Sequence, residues 1–246
     1  MHKVNLTMSW DDGSPHDMRL AELLSQYNIA STFYIPKNNI EGIPVLPESD
    51  IRALSQEFEI GAHTIDHVRL NRLSHEEQEY QIKYSKEWLE DLIGKPIHGF
   101  CYPGGVYDRS SINAVKKSGF YYSRTTENFS NEIIDLYEMP TTLQLFNHKN
   151  YILLSNIIKS KNSLSKVYKY HPILLSNNFS KRFEYVLNYA IKSRLDYIHF
   201  WGHSWELEEY NQWGLLEDFF KIIQEKNQSL SFKTNYQCAT LSAEKI

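Results

Sequence analysis

Four residues in the first third of the chain have the types and spacing of a metal-dependent hydrolytic site. Asp11 and Asp12 directly follow an apolar run at 4–10, and His63 and His67 come about fifty residues later. Adjacent carboxylates at a strand end repel each other, and a bound cation would remove that repulsion. The His-x-x-x-His spacing can bring two imidazoles to one face of a turn. One carboxylate and two imidazoles form the ligand set of a catalytic zinc-type site, which leaves the second carboxylate free to act as a base.

Each motif has a simpler explanation when it is taken alone. Asp-Asp-Gly is a common turn, because both residue types suit turn geometry, and a pair of histidines at this spacing can simply be solvated. The two motifs are more specific together, since each follows an apolar run. Two more polar stretches, at 100–105 and 197–206, also accompany apolar segments. Polar residues gathered at the ends of successive strands are how a barrel enzyme assembles its active site.

The elements that must position these residues alternate between strand and helix along the chain. We predict strands at 4–10, 31–36, 58–62, 97–102, 120–126 and 195–200, an extended segment near 138–143 and a last strand near 231–234. We predict helices from about 14, at 48–57, 74–92, 109–118, 151–158, 182–191 and 212–225. Ser74 and Glu77 form a capping-box pattern, and Gly94 marks the end of the helix that they open. The stretch between the helices at 151–158 and 182–191 has the composition of a polar connection.

Composition narrows the class of protein. A chain of 246 residues fits one barrel-type domain. Its net charge of −4 argues against a general nucleic-acid binder, and no stretch approaches the ~18 apolar residues of a membrane span. The N-terminus leads into the first strand without an apolar signal region, so we expect a cytoplasmic protein. Cys101 and Cys238 lie too far apart to suggest a disulfide framework.

The motifs together resemble those of the polysaccharide deacetylases, also called NodB-homology domains or carbohydrate esterase family four. The resemblance rests on Ser-Trp-Asp-Asp-Gly at 9–13, His-Thr-Ile-Asp-His at 63–67, Tyr-Pro-Gly-Gly at 102–105 and the late His203. It implies an α/β fold, the distorted (β/α)7-type barrel of this superfamily, with one catalytic domain over 1–246. It also implies a hydrolase that removes an acetyl group from an N-acetylated sugar.

The resemblance assigns the central chemistry. It makes Asp12, His63 and His67 the ligands of one divalent metal ion, with zinc as the first expectation and cobalt, nickel, manganese or iron as alternatives. It makes Asp11 the catalytic base, with a purely orienting role as the alternative. It assigns the backbone amide of Tyr102 to the oxyanion of the reaction. It implies no organic cofactor.

The late motif supplies the remaining candidates. His203 matches the family's histidine that protonates the departing nitrogen. His199 competes with it for that role, but it lies inside the strand, where a structural role is the alternative. Glu206 would orient His203, contact sugar or lie at the surface. Trp201 and Trp205 would either form an apolar wall around the acyl methyl group or belong to the core.

The chain departs from the family pattern at two places. Cys101 stands where the family usually has an arginine that pairs with the base, two residues before Pro103. Either Asp11 has no cationic partner, or another residue replaces that arginine, and Arg124 is the best candidate. The aspartate segment that usually orients the acid histidine is not obvious, and Glu138 lies in the nearest piece.

These observations favour a metal-dependent deacetylase that acts in the cytoplasm. Its expected partner is an acetylated sugar or sugar-linked intermediate of surface-polysaccharide synthesis, such as lipopolysaccharide O-antigen or capsule, and no nucleic acid. One alternative is hydrolysis of another small C–N amide, as in the allantoinase-like or deformylase-like branches. Another is a relative that binds glycans without catalysis. The oligomeric state and the role of 148–194 have no readable signal.

Overall fold

A curled sheet of parallel strands carries the site residues at its carboxyl ends. The structure is a computed structural model, and it describes residues 2–160 and 163–245. Within those ranges the strands are β1 (Val4–Trp10), β2 (Thr32–Ile35), β3 (Glu59–Ala62), β4 (Gly99–Cys101), β5 (Tyr122–Arg124), β6 (Leu143–Gln144), β7 (Tyr197–Gly202) and β8 (Leu230–Lys233).

The strand order is β5-β4-β3-β2-β1-β7-β6, and β8 pairs with the start of β1. An isolated parallel bridge between Arg124 and Met139 connects the end of β5 with the segment that leads into β6. The sheet therefore curls until its two edges approach each other. This arrangement agrees with the predicted α/β barrel.

β1 lies in the middle of the sheet and shows how the strands divide their two faces. Met8 and Trp10 belong to the apolar core, whereas Ser9 bonds to His199 at 2.8 Å. Side chains alternate along a strand, so Asp11 continues the polar face that Ser9 occupies. The run of apolar residues at 4–10 thus delivers a carboxylate to the inner side of the barrel.

Helices follow most strands, and three of them were not predicted. The helices are α1 (Asp17–Gln26), α2 (Glu48–Leu54), α3 (His75–Ile93), α4 (Arg109–Lys117), α5 (Asn150–Lys159), α6 (Ser163–Leu174), α7 (Phe179–Lys192), α8 (Ser204–Glu209), α9 (Trp213–Glu225) and α10 (Asn235–Ala243). The capping box of Ser74 and Glu77 opens α3, and Gly94 ends it in the left-handed region. α6 lies where we predicted a polar connection, so that interpretation was wrong. α10 also begins with a capping box, formed by Thr234 and Gln237, which is a helix signal that the prediction overlooked.

Two glycines in the left-handed region give a matched test of packing. Gly94 has φ +68° and open space where a Cβ would point, whereas a Cβ on Gly105, at φ +66°, would overlap the Thr126 side chain. We expect Gly94→Ala to cost about 1–2 kcal/mol from backbone strain. Gly105→Ala should cost a further ~1–3 kcal/mol because the loop must also move away from Thr126. Urea unfolding of both variants measures the difference, and equal losses would show that the Gly105 loop yields freely.

Candidate active site

The site residues meet at the carboxyl ends of four strands. Asp11 and Asp12 directly follow β1, and His63 directly follows β3. Arg124 is the last residue of β5, and His203 follows β7 and occupies the position before the first residue of α8. Because parallel strands end at one edge of the sheet, the topology brings together residues that are far apart in sequence.

Asp12, His63 and His67 form a buried cluster with converging ligand atoms. One ligand atom from each lies within 4.8 Å of the other two. Asp12 Oδ1 is 3.5 Å from His63 Nε2 and 3.0 Å from His67 Nε2. The structure therefore brings together the three residues to which the resemblance assigns the metal.

The bonds around this cluster leave the right atoms free for a cation. His63 Nδ1 donates to the Cys101 carbonyl at 2.8 Å, which leaves the lone pair on Nε2, facing Asp12. Trp205 Nε1 donates to Asp12 Oδ2 at 2.8 Å, so Oδ1 faces the histidines. Burial alone would raise the pKa of Asp12, but the neighbouring His63, His67 and His203 side chains outweigh it and hold that pKa well below its ordinary value. This donor set of two imidazoles and one ionised carboxylate fits a divalent metal such as zinc.

The loop that carries the histidines is held in an unusual backbone conformation. Thr64 and His67 have φ values of +64° and +53°, and Asp12 has +77°. Such values are uncommon outside glycine, particularly for a β-branched residue. The buried Gln81 of α3 anchors this loop, because its Oε1 accepts from the backbone amides of Ile65 and Asp66, each at 3.0 Å. Gln81 was not predicted, because it carries no local signal that separates it from other helix residues.

Arg124 lies against Asp11, as the sequence analysis expected. Its Nη2 donates to Asp11 Oδ1 and, at 3.4 Å, to Ser9 Oγ, and its side chain is 0% exposed. Cys101 and Arg124 are paired in the register of β4 and β5. The positive charge that other family members have at the position of Cys101 is therefore supplied here from the neighbouring strand. Arg124 is thus not a surface residue. The guanidinium does not form a two-bond fork with the carboxylate, since among the described residues Nε and Nη1 have no hydrogen-bond partner.

We expect Arg124→Lys to lower turnover roughly tenfold, equivalent to about 1.4 kcal/mol in the barrier. Lysine keeps the charge but lacks the planar group, whose Cζ lies 5.2 Å from the Tyr34 ring centroid and 5.1 Å from that of Trp201. Asp11 would then be held less firmly. Steady-state kinetics with metal content checked in parallel measures the effect. Unchanged kinetics in Arg124→Ala would remove Arg124 from the account.

His203 lies beside the metal cluster and is held by a carboxylate. Its Nδ1 lies 2.7 Å from Glu206 Oε2, and its Nε2 lies 3.8 Å from Asp12 Oδ2. The pairing is local, because His203 precedes α8 and Glu206 lies in the first turn of that helix. Burial lowers the pKa of His203, but the bond to Glu206 and the charge of Asp12 outweigh it and raise that pKa to about 9. Gln144 also donates to Glu206, at 3.0 Å.

His199 occupies a different environment and does not line the cavity. It is fully buried between Ser9 Oγ at 2.8 Å and Tyr197 OH at 2.7 Å. Burial and the nearby Arg124 hold its pKa well below the ordinary value. This geometry supports the structural alternative for His199.

Tyr102 is not placed as the resemblance implied. Its backbone amide donates to the Arg124 carbonyl at 3.3 Å, because Tyr102 continues the pairing between β4 and β5. Its hydroxyl is bonded to Ser123 Oγ at 2.8 Å. The following Pro103 and Gly104 line the cavity, but Tyr102 does not. This geometry argues against the oxyanion role predicted for the Tyr102 amide.

A cavity of about 490 Å³ lies over these residues. The predicted site residues that line it are Asp11, Asp12, His63, His67, Trp201, His203 and Trp205. Further lining comes from residues that the sequence analysis did not identify: Glu41, Arg69, Thr126, Glu127, Asn128, Gln144, Asn156, Lys159 and Ser160. Glu206 does not line the cavity and orients His203 through its bond to Nδ1. Glu138, in the segment nearest to the missing aspartate motif, instead accepts a hydrogen bond from Tyr107 at 2.7 Å.

Comparison with known proteins identifies the family. The family model described as polysaccharide deacetylase matches residues 2–123, the half of the chain that contains the Asp-Asp and His-x-x-x-His motifs. The chain belongs to the polysaccharide deacetylase family. It is 26% identical over 117 residues to a peptidoglycan-N-acetylglucosamine deacetylase of Bacillus cereus, with 47% of this chain and 53% of that protein covered. It is 27% identical over 149 residues to a chitooligosaccharide deacetylase of Azorhizobium caulinodans, with 54% of this chain and 69% of that protein covered. The chain spans about half the length of the first of these relatives.

A solved structure confirms the fold over nearly the whole chain. The chitin deacetylase from the fungal pathogen Colletotrichum lindemuthianum superposes with a TM-score of 0.64, covering 96% of this chain and 88% of that one, at 17% identity. The distorted (β/α)7-type barrel of the polysaccharide deacetylases is therefore confirmed. Among the described helices, none is long and apolar enough to cross a bilayer.

Proposed function

We propose that this protein is a metal-dependent deacetylase that hydrolyses the N-acetyl group of a sugar. The observation that carries the proposal is the buried cluster of Asp12, His63 and His67, with Asp11 and His203 beside it. The names of the relatives, which are deacetylases of chitooligosaccharide and peptidoglycan, support an acetylated sugar as the substrate.

Two residues of the site share the proton transfers. Asp11, held by Arg124, takes a proton from the attacking water. His203, held by Glu206, gives a proton to the departing nitrogen, which leaves as the amine. A divalent metal ion held by Asp12, His63 and His67 would lower the pKa of water and polarise the amide carbonyl. A non-catalytic glycan-binding protein would have no need of this complete set.

The test is the product released from matched amides. Metal-loaded protein is incubated with N-acetylated chitooligosaccharides, with the corresponding N-formyl sugars and with allantoin, and acetate, formate and ring-opened product are measured. Release of acetate alone supports the proposal. Preferential release of formate or of ring-opened product would make the protein another C–N hydrolase of the same fold. Absence of product from every substrate would contradict the proposal.

A matched control lies between the two histidines. Asp66 accepts from Gln81 at 2.6 Å and from Asn38 at 2.9 Å, and it is not in the metal cluster. Asp66→Asn should therefore keep acetate release close to that of the wild type. The O-antigen or capsule intermediate, the single domain over 1–246 and the cytoplasmic location stay predictions. Acetylated nucleotide- and lipid-linked sugars added to the same panel test the first of them.

A further inference from the structure

Two neighbouring helices, α5 at the cavity wall and α6 packed on it, expose apolar side chains on their outer surfaces. On α5, Tyr151 is 67% and Ile158 is 59% exposed, and on α6, Leu164 is 87% and Tyr168 is 84% exposed. Residues 151 and 158 are two turns apart, and 164 and 168 are one turn apart, so each pair shares one side of its helix. We call these four side chains the α5–α6 face. α5 packs on α6, so the two exposed pairs belong to one part of the molecule.

The charge of this part of the chain is opposite to that of the rest. Residues 139–183 contain seven Lys and Arg and no Asp or Glu, whereas the rest of the chain has 19 Lys and Arg against 30 Asp and Glu. The segment thus has a net charge of +7 in a protein whose total is −4. Lys149 and Lys159, at the two ends of α5, are exposed and form no ion pair with any described residue.

We propose that the α5–α6 face docks on the surface of an anionic lipid bilayer. Exposed aliphatic and tyrosine side chains next to unpaired lysines suit the interface of such a membrane, where apolar groups enter the headgroup region and lysines attract acidic lipids. The helices would lie on the bilayer, since neither can span it. The exposed aliphatic side chains favour a lipid surface over nucleic acid. The positive charge of this segment disfavours pairing with the same segment of a second copy, because like charges repel.

Docking here would place the catalytic cavity at the membrane. Asn156 and Lys159 of α5 line that cavity, so the helix that carries Tyr151 and Ile158 also forms part of the cavity wall. A sugar attached to a membrane lipid would then be within reach. This consequence rests on the proposed function, but the docking itself does not require hydrolysis.

The experiment is co-sedimentation of the full chain with phosphatidylcholine vesicles that contain or lack phosphatidylglycerol. We expect binding to the anionic vesicles, weaker at high salt. The double variant Leu164→Glu with Tyr168→Glu should reduce the bound fraction at least about tenfold, because it replaces two apolar contacts by negative charges. Tyr80→Glu on α3, where the tyrosine is 54% exposed, is the control and should bind like the wild type.

Three results would overturn the proposal. The first is that the wild type does not bind the vesicles, and the second is that the double variant binds them equally well. The third is that the wild type sediments as a dimer without binding vesicles, and that the double variant does not form this dimer. Thermal unfolding and hydrolysis of a soluble acetylated sugar, which should be unchanged in the double variant, show that the site is intact. If neither the wild type nor the double variant hydrolyses that sugar, the proposed function fails, but the vesicle result still decides whether the α5–α6 face docks on the membrane.

Discussion

His63→Ala should lose bound metal and reduce deacetylation at least about 10⁴-fold, more than the usual loss from removing one acid–base group. His63 contributes one of the three converging ligand atoms, and its Nδ1 bond to the Cys101 carbonyl fixes the tautomer that presents Nε2. Metal content by elemental analysis and acetate release are measured on the same preparation. His75→Ala, at an exposed histidine outside the cavity, is the control and should keep both. Full activity in His63→Ala would remove the cluster from the chemistry.

Asp11→Asn should keep the metal but lose about 10²–10⁴-fold in turnover. Asparagine is nearly isosteric and still offers an oxygen to Arg124, but it cannot accept the proton of water. Asp11 is not in the cluster formed by Asp12 and the two histidines, so metal stoichiometry should stay at the wild-type value. Turnover within a few-fold of the wild type would reassign Asp11 to an orienting role.

The parts of the site that were predictable lie next to strand ends. Asp11, Asp12 and His63 follow apolar runs, and a parallel sheet brings the ends of such runs together whatever the details of packing. Arg124 could be anticipated for a similar reason, because β4 and β5 are adjacent and their register sets Arg124 beside Cys101.

Other parts depend on packing that no local pattern encodes. The Tyr102 amide is used by the β4–β5 pairing, which extends one residue beyond the strand. The left-handed backbone of Thr64 is imposed by the anchoring of its loop to Gln81, and neither residue type indicates it. Asn156 reaches the cavity from α5, in a region where the sequence has no motif.

One of the three helices that were not predicted, α6, shows the same limit. α6 is rich in Ser, Lys and Tyr, and it contains Pro172, so its composition suggests a connection. It is stable as a helix because Tyr170 and Ile173 are buried in the core. Tertiary packing here outweighs intrinsic preference.

The most direct test of the account is titration of metal-free protein with zinc while acetate release from an N-acetylated chitooligosaccharide is followed. We expect no release from the chelator-treated protein and activity that rises with added zinc until one ion per chain is bound. The same titration of His63→Ala should stay flat. Full acetate release from metal-free wild type, or tight binding of one zinc ion in His63→Ala, would contradict the assignment of Asp12, His63 and His67 as the metal site of a deacetylase.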